Sequence, residues 1–326
     1  MKLSILCQSP VREGRTPADA VRETVELARL ADESGYERFW VAEHHSDCAL
    51  ASGAPEVMVA HLAAVTRRIR VGSGGVLMPY HSPFHVAEQF NLLAALHPNR
   101  IDLGMGRSGG SEQQAPQALG IRAAGDRCFE SMDELLSWVG SGQAGRPYPT
   151  TFAAPSVEQG AAPWVLGTSV SSARYAASRG LPYAFGGFLD PRGMMEALGA
   201  YHQHFTPGIC ATPRTIVAWY VQAAETEREA QALTRSSEHW FIENLVRGTN
   251  APFRAPASLS DVQYGPMEQM AIAMRRQFAL VGTAEKVLEQ LESLQRQTAA
   301  DEMMLVTIPF EPEARQHSYA LIAKAA

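Results

Sequence analysis

The run FWVAEHHSDC, Phe39 to Cys48, sets one carboxylate and two histidines side by side where an apolar stretch ends. Three chemistries fit those residue types: metal ligation, proton transfer near neutral pH, and plain solvation of a strand end. Successive side chains of an extended chain point to opposite faces, so Glu43 and His45 share one side and His44 takes the other. Three contiguous strand residues cannot easily converge on one ion, which argues against a metal site built from this run alone.

Three glycine- and hydroxyl-rich turns are the other candidates. GMGRSGG, Gly104 to Gly110, fits G-x-G-x-x-G after a strand, but a dinucleotide turn needs a helix to open at its third glycine. SEQQAPQALG follows instead, with Pro116 interrupting it. Arg107 then stands out as a fixed positive charge among glycines that allow close backbone approach, with a surface ion pair as the alternative. LGTSVSSA, Leu166 to Ala173, runs from a strand into a helix through Thr168, Ser169, Ser171 and Ser172. Those hydroxyls either cap the helix or, with its positive end, hold a phosphate. Together with Arg107 they would form a phosphate clamp. VGSGGVLMP places Gly72, Gly74 and Gly75 in a strand, marking a rim bend or a close ligand approach. His202 and His204, two apart on a helix, read as surface residues, and Met58, Phe90 and Trp138 as core.

These residues need elements to hold them. Apolar runs LSILCQ, RFWVAEH, IRVGSGGVLM, RIDLGMG, PWVLGTS, PYAFGGF, RTIVAWYVQAA and EMMLVTI read as eight strands. They are near-continuous in hydrophobicity, as strands covered on both faces are. Helical periodicity fills the gaps: a helix from Thr16 with Pro17 in its first turn, then PEVMVAHLAAVTRR, PFHVAEQFNLLAALH, CFESMDELLSWVG, SSARYAASRG stopping at Gly180, Met194 to His204, TEREAQALTRSSEHWFIENL, TAEKVLEQLESLQRQ and a helical C-terminal tail. Eight alternating units over 326 residues, with no break in composition, predict a single α/β domain spanning 1–326. Its architecture is a (β/α)8 TIM barrel, with an open doubly wound sheet as the alternative. Arg247 to Gly265 lacks periodicity and reads as a mobile lid.

Composition narrows the partners. A net charge of −6 argues against nucleic acid or an anionic membrane surface. No apolar run approaches the roughly 20 residues of a membrane helix. The run before Cys7 is too short for a signal segment and carries Leu6 where a small residue is expected. Four scattered cysteines (Cys7, Cys48, Cys128, Cys210) with no C-x-x-C pair predict free thiols in a cytoplasmic protein.

VAEHH after the second strand, VGSGGVLMP in the third, AEQFNLLAALHPNRIDLGMGR, ASRGLP and LVGTAEKVLEQLESL, in that order, resemble the bacterial luciferase-like flavin-dependent monooxygenases. The resemblance implies a barrel that binds reduced FMN from a separate flavin reductase and inserts one atom of O2, with a flavin C4a-hydroperoxide carrying the oxygen. It matches His44 to the catalytic histidine, Arg107 to the FMN-phosphate arginine, and Ser169 and Ser172 to phosphate-binding hydroxyls. Thr168 joins them in the cofactor set, and Gly74–Gly75 falls at a non-prolyl cis peptide under the flavin ring. Gly106 and Thr168 depart from luciferase proper, which has a cysteine and a glutamate there, so aldehyde substrates and light emission are not implied. The secondary-metabolite tailoring branch fits best, which implies a polyketide-type small-molecule substrate. Relatives with this barrel use F420 for hydride transfer, and others are non-catalytic flavin binders. A homodimer through the helices after strands two and three, where Glu88 lies, is also implied. No metal is expected.

Overall fold

The computed structural model describes residues 1–107, 115–120, 127–140, 148 and 150–326. Among the described residues there are nine strands: β1 (Lys2–Cys7), β2 (Arg38–Val41), β3 (Arg70–Leu77), β4 (Ile101–Gly106), β5 (Ala162–Gly167), β6 (Tyr183–Gly186), β7 (Thr215–Ala223), β8 (Leu280–Gly282) and β9 (Glu302–Val306). Twelve α-helices accompany them among the described residues: α1 (Pro17–Glu33), α2 (Pro55–Val65), α3 (Pro83–Leu96), α4 (Ala115–Leu119), α5 (Arg127–Trp138), α6 (Val170–Ser178), α7 (Met194–His204), α8 (Glu227–Leu233), α9 (Arg235–Trp240), α10 (Pro266–Phe278), α11 (Ala284–Thr298) and α12 (Pro312–Ala325).

Eight strands close a parallel ring in the order β1, β2, β3, β4, β5, β6, β7, β9. Closure is made where Val217 of β7 sits opposite Met303 of β9 and Leu305 of β9 opposite Ile5 of β1. The expected (β/α)8 barrel is therefore the architecture. Hydrophobic burial is divided in two, as the pleat requires. One cluster lies between strands and helices and includes Phe90 and Trp138, with Met58 at its edge. The other fills the barrel interior with Leu6, Trp40, Trp164, Ile216, Tyr220 and Met304.

The interior is floored by charge. Arg38, 1% exposed, donates Nε to Glu302 Oε1 at 2.6 Å, Nη2 to Glu302 Oε2 at 2.8 Å and Nη1 to Asp102 Oδ2 at 2.7 Å. Trp40 Nε1 and Arg70 Nε complete the shell of Asp102 at 2.9 Å each. These residues begin β2, β3, β4 and β9, so the layer closes the N-terminal end of the barrel.

Several boundaries differ from the sequence expectation. β2 stops at Val41, so Glu43 to His45 lie just beyond the strand rather than within it. α4 begins at Ala115 with Pro116 in its first turn, where the missing N–H breaks no helical bond. The rest of the polar stretch from Ser108 to Gly125, with Gly109 and Gly110, lies outside the described residues apart from 115–120. The predicted long helix from Thr226 breaks at Thr234, whose Oγ1 donates to Gln231 O at 2.9 Å, and then loosens into a π-turn over Phe241–Val246. α10 and the three-residue β8, which pairs with Val221–Ala223 at the far end of β7, were not anticipated.

The segment from Arg247 to Gly265 is tied to the N-terminal loop. Phe253 is fully buried, donates its N–H to Val11 O at 3.0 Å and accepts from Glu13 N at 2.7 Å. Its ring stacks on Trp240, with centroids 5.0 Å apart. Arg247 grips Glu268 of α10 through two hydrogen bonds of 2.7 and 3.0 Å.

Candidate active site

Glu43, His44 and His45 leave β2 at the C-terminal end of the barrel, the end where parallel barrels gather their chemistry. The expected split between faces holds. Glu43 and His45 join one cluster, and His44 joins another residue altogether. His44 Nε2 lies 2.6 Å from Gln8 Oε1, just past β1, and its backbone N–H donates to Ser52 O at 2.7 Å. With Gln8 Oε1 as acceptor, Nε2 carries the proton and Nδ1 keeps its lone pair. Nδ1 has no hydrogen-bond partner among the described residues. Burial lowers the His44 pKa to about 4, with neighbouring His45 pushing the same way and Glu43 opposing. The ring is thus neutral at physiological pH, with Nδ1 able to accept a proton.

The Glu43 side chain is fully buried. Its Oε1 accepts from His45 Nε2 at 2.6 Å and His81 Nε2 at 2.7 Å, and its Oε2 from Leu77 N at 2.8 Å. Burial pushes this carboxyl up, yet the hydrogen bonds and charge of His81, with those from Leu77 and His45, hold it below the ordinary glutamate range. His45 also meets the Tyr80 ring edge-on at 5.6 Å. His81 and Tyr80 follow β3, so this carboxylate laces the exit of β2 to the exit of β3. Sequence reasoning missed His81, and the PYH run after a glycine-rich strand was the available signal. Glu43, His45 and His81 form a group that could hold a metal ion. Their separations are those of hydrogen bonds, shorter than the spacing of two ligands about 2 Å from one ion at a tetrahedral angle.

β3 carries the Gly74–Gly75 peptide in the cis form. A Cβ on Gly74 would come within 2.6 Å of Leu6 Cδ1, and one on Gly75 within 2.8 Å of Gly104 O, so the wall here is bare backbone.

Arg107 follows β4. Its Nη2 donates to Ser169 Oγ and Ser171 Oγ at 3.0 Å each, while its guanidinium lies 4.4 Å from the centre of the Phe129 ring. Ser169 is the N-cap of α6 and accepts from Ser172 N at 3.3 Å. Ser172 sits differently from the expectation. It is fully buried, and its hydroxyl donates to Ser169 O at 2.8 Å and lies 3.2 Å from Tyr183 Oη. The second hydroxyl beside Arg107 is that of Ser171. Thr168 is half-buried, its methyl group turned toward Gly186. His202 and His204 are exposed, as read from their spacing.

An arginine, two serine hydroxyls bonded to it and a helix N-terminus make an anion cradle at the same mouth as a neutral, half-buried histidine. That combination sets a place where an anionic group could be held beside a proton acceptor, at the catalytic end of a closed parallel barrel. The sequence pattern of the luciferase-like monooxygenases matches residues 1–301, and the chain belongs to that family. It is 37% identical to a luciferase-like monooxygenase of Escherichia coli strain K12, over 98% of this chain and 95% of the relative. It is 36% identical to the N-acetyl-S-alkylcysteine monooxygenase of Bacillus subtilis strain 168, over 100% and 98%. Among solved structures, apo-MsnO8 superposes with a TM-score of 0.90 at 38% identity, covering 99% of this chain and 98% of the other. The fold alone is shared with the FMN-bound oxygenating constituent of 3,6-diketocamphane monooxygenase from Pseudomonas putida, at a TM-score of 0.73 and 22% identity over 100% and 97% of the two chains. An F420-dependent secondary alcohol dehydrogenase shares it at 0.65 and 12%, over 100% and 99%.

Proposed function

We propose that this enzyme is a flavin-dependent monooxygenase that receives reduced FMN from a separate reductase and uses O2 to epoxidise or hydroxylate a small organic substrate. The observation that carries the reading is the pairing of the Arg107–Ser169–Ser171 cradle with His44 at one barrel mouth. The cradle's donors suit a phosphate dianion, and the bare Gly74–Gly75 backbone suits a flat ring laid against it. Thr168 lines the approach and Ser172 holds Ser169 in its capping pose. Bound reduced FMN would supply the electrons and the site of O2 activation.

The protein's own part is to bind, orient and handle protons. Arg107 and the α6 terminus fix the phosphate end. His44, neutral and steadied through Nε2 by Gln8, presents Nδ1 to accept a proton or a hydrogen bond at the reacting oxygen. Glu43 fixes the β2 and β3 exits relative to each other, so the histidine and the glycine wall keep their spacing. Arg247 to Gly265 acts as a lid that excludes water from the mouth. FMN is favoured over F420 because the similar relatives of 36–37% identity are named monooxygenases, whereas the F420 likeness is one of fold. Polyketides and thioethers such as N-acetyl-S-alkylcysteines are the substrate classes to try first. The subunits pair through α2 and α3, where Val57, Leu92 and Leu96 are 67%, 51% and 61% exposed.

The test is oxygenated-product analysis with reduced FMN, O2 and those substrate panels, run beside His44→Ala. The variant keeps FMN binding and loses most product. Equal product from His44→Ala removes the assigned role, and no FMN-dependent product from the wild type removes the activity.

A further inference from the structure

α10 follows the segment of Arg247 to Gly265, and its last turn meets β7. Trp219 of β7 donates its indole N–H to Phe278 O, and Ala279 packs against the interior cluster. This anchoring turns Arg275 inward. Its guanidinium carbon lies 5.4 Å from the centre of the Tyr220 ring and 4.9 Å from that of Phe241. Tyr220 belongs to the barrel interior, facing Val306 across the β7–β9 pair.

The arginines around it are neutralised. Arg276 holds Glu238 through two hydrogen bonds of 2.6 and 2.7 Å, and Arg247 holds both Glu268 and Glu243. Of these three side chains, that of Arg275 alone has no hydrogen bond or ion pair with any described residue. Glu238, the acid whose field reaches it, is already taken by Arg276. Burial lowers the Arg275 pKa, with the Tyr220 and Glu238 fields opposing. A fixed charge kept half-buried between two rings without a counter-ion is costly unless something else supplies one. The wall it shares is short of acceptors too: Trp240, next in chain to Phe241 and packed against the same interior cluster, has a buried indole N–H with no partner among the described residues.

We infer that Arg275 is the specificity residue for an anionic oxygen on the organic substrate, so that the enzyme's substrates are organic acids held by a carboxylate. The two flanking rings suit this role. A guanidinium stacked on aromatic faces keeps its edge free, and that edge matches a planar carboxylate through paired N–H donors. The phosphate cradle lies on β4 and α6, on other strands of the ring, so the two positive sites serve the two ends of a filled mouth. The inference rests on the proposed flavin-dependent function, since the flavin is what the cradle would hold.

The experiment uses the full-length protein loaded with FMN. Wild type, Arg275→Gln and Arg275→Lys are titrated with 4-phenylbutanoate and, separately, with its neutral amide, followed by tryptophan emission and by melting temperature. Wild type should bind the acid about tenfold or more tighter than the amide, the scale of one charge-assisted pair. Arg275→Gln should bring the ratio near one, and Arg275→Lys should keep part of it. No preference in wild type, or one untouched in Arg275→Gln, overturns the inference. FMN dissociation constants measured first separate the sources of the anion. A loss of FMN affinity in Arg275→Gln comparable to that in Arg107→Gln assigns the charge to the flavin and overturns the substrate role. Failure of the wild type to bind FMN would defeat the functional reading itself, a distinguishable result.

Discussion

Replacing Glu43 with glutamine tests whether the carboxylate lacing β2 to β3 is held as an anion. Its two oxygens receive three N–H donors, from His45 and His81 on Oε1 and from Leu77 on Oε2, inside a fully buried side chain. An amide has one oxygen and a donating nitrogen. Turned either way, it opposes a donor with a donor, at Leu77 or at the two imidazoles. A hydrogen bond to a charged group contributes about 1.5–3 kcal/mol, so losing one or two should cost about 2–5 kcal/mol at pH 7. The pH dependence has a definite sign. The folded carboxyl titrates below its unfolded value, so its stabilisation is complete above the ordinary glutamate pKa and is lost as pH falls through the folded one. Urea unfolding of wild type and Glu43→Gln at a series of pH values measures this directly. The gap should be widest near neutrality and shrink under acid. A variant as stable as wild type at pH 7, or a gap that does not change with pH, would refute the anionic lacing.

Other outcomes follow from the same geometry. Arg107→Gln should weaken FMN by about 30- to 150-fold, the worth of about 2–3 kcal/mol, while riboflavin, which lacks the phosphate, changes little; flavin-fluorescence titration reads both, and parallel losses would count against the cradle. On the proposed pairing through α2 and α3, the wild type should sediment as a dimer and Val57→Glu combined with Leu92→Glu as a monomer; a sedimentation coefficient the substitutions leave unchanged would count against that interface. Arg38→Met leaves Glu302 buried without its cation and Asp102 with Arg70 alone, and should cost about 3–5 kcal/mol in urea unfolding; an unshifted midpoint would mean that the floor of the barrel is not held by charge.

The barrel was legible because strands covered on both faces leave unbroken apolar runs, and helices between them keep their own period. Thr16 and Pro17 announced α1, and its N-cap and first turn lie there. The shortest and most context-dependent pieces were not legible. β8 is three residues long and is a strand only because β7 extends past the ring to meet it. α10 was missed although Met267, Met270, Met274 and Phe278 recur at helical spacing, an apolar stripe that the fold leaves exposed. At the site, strand alternation separated His44 from Glu43 and His45 even though the strand stops short of them. It could not supply Gln8 or His81, which are 36 and 38 positions away in the chain and arrive through the pairing of β2 with β1 and β3. Ser171 and Ser172 differ only by the rotation of one residue on α6, a distinction that needs the helix start in place.

The charged layer beneath the barrel interior has a kinetic consequence. Arg38, Asp102 and Glu302 fill the N-terminal end of the barrel with buried ion pairs, so a flavin and a substrate bound as proposed would share the opposite mouth. Of two ligands stacked there, the deeper would leave only after the upper, an order imposed by residues that never meet a ligand.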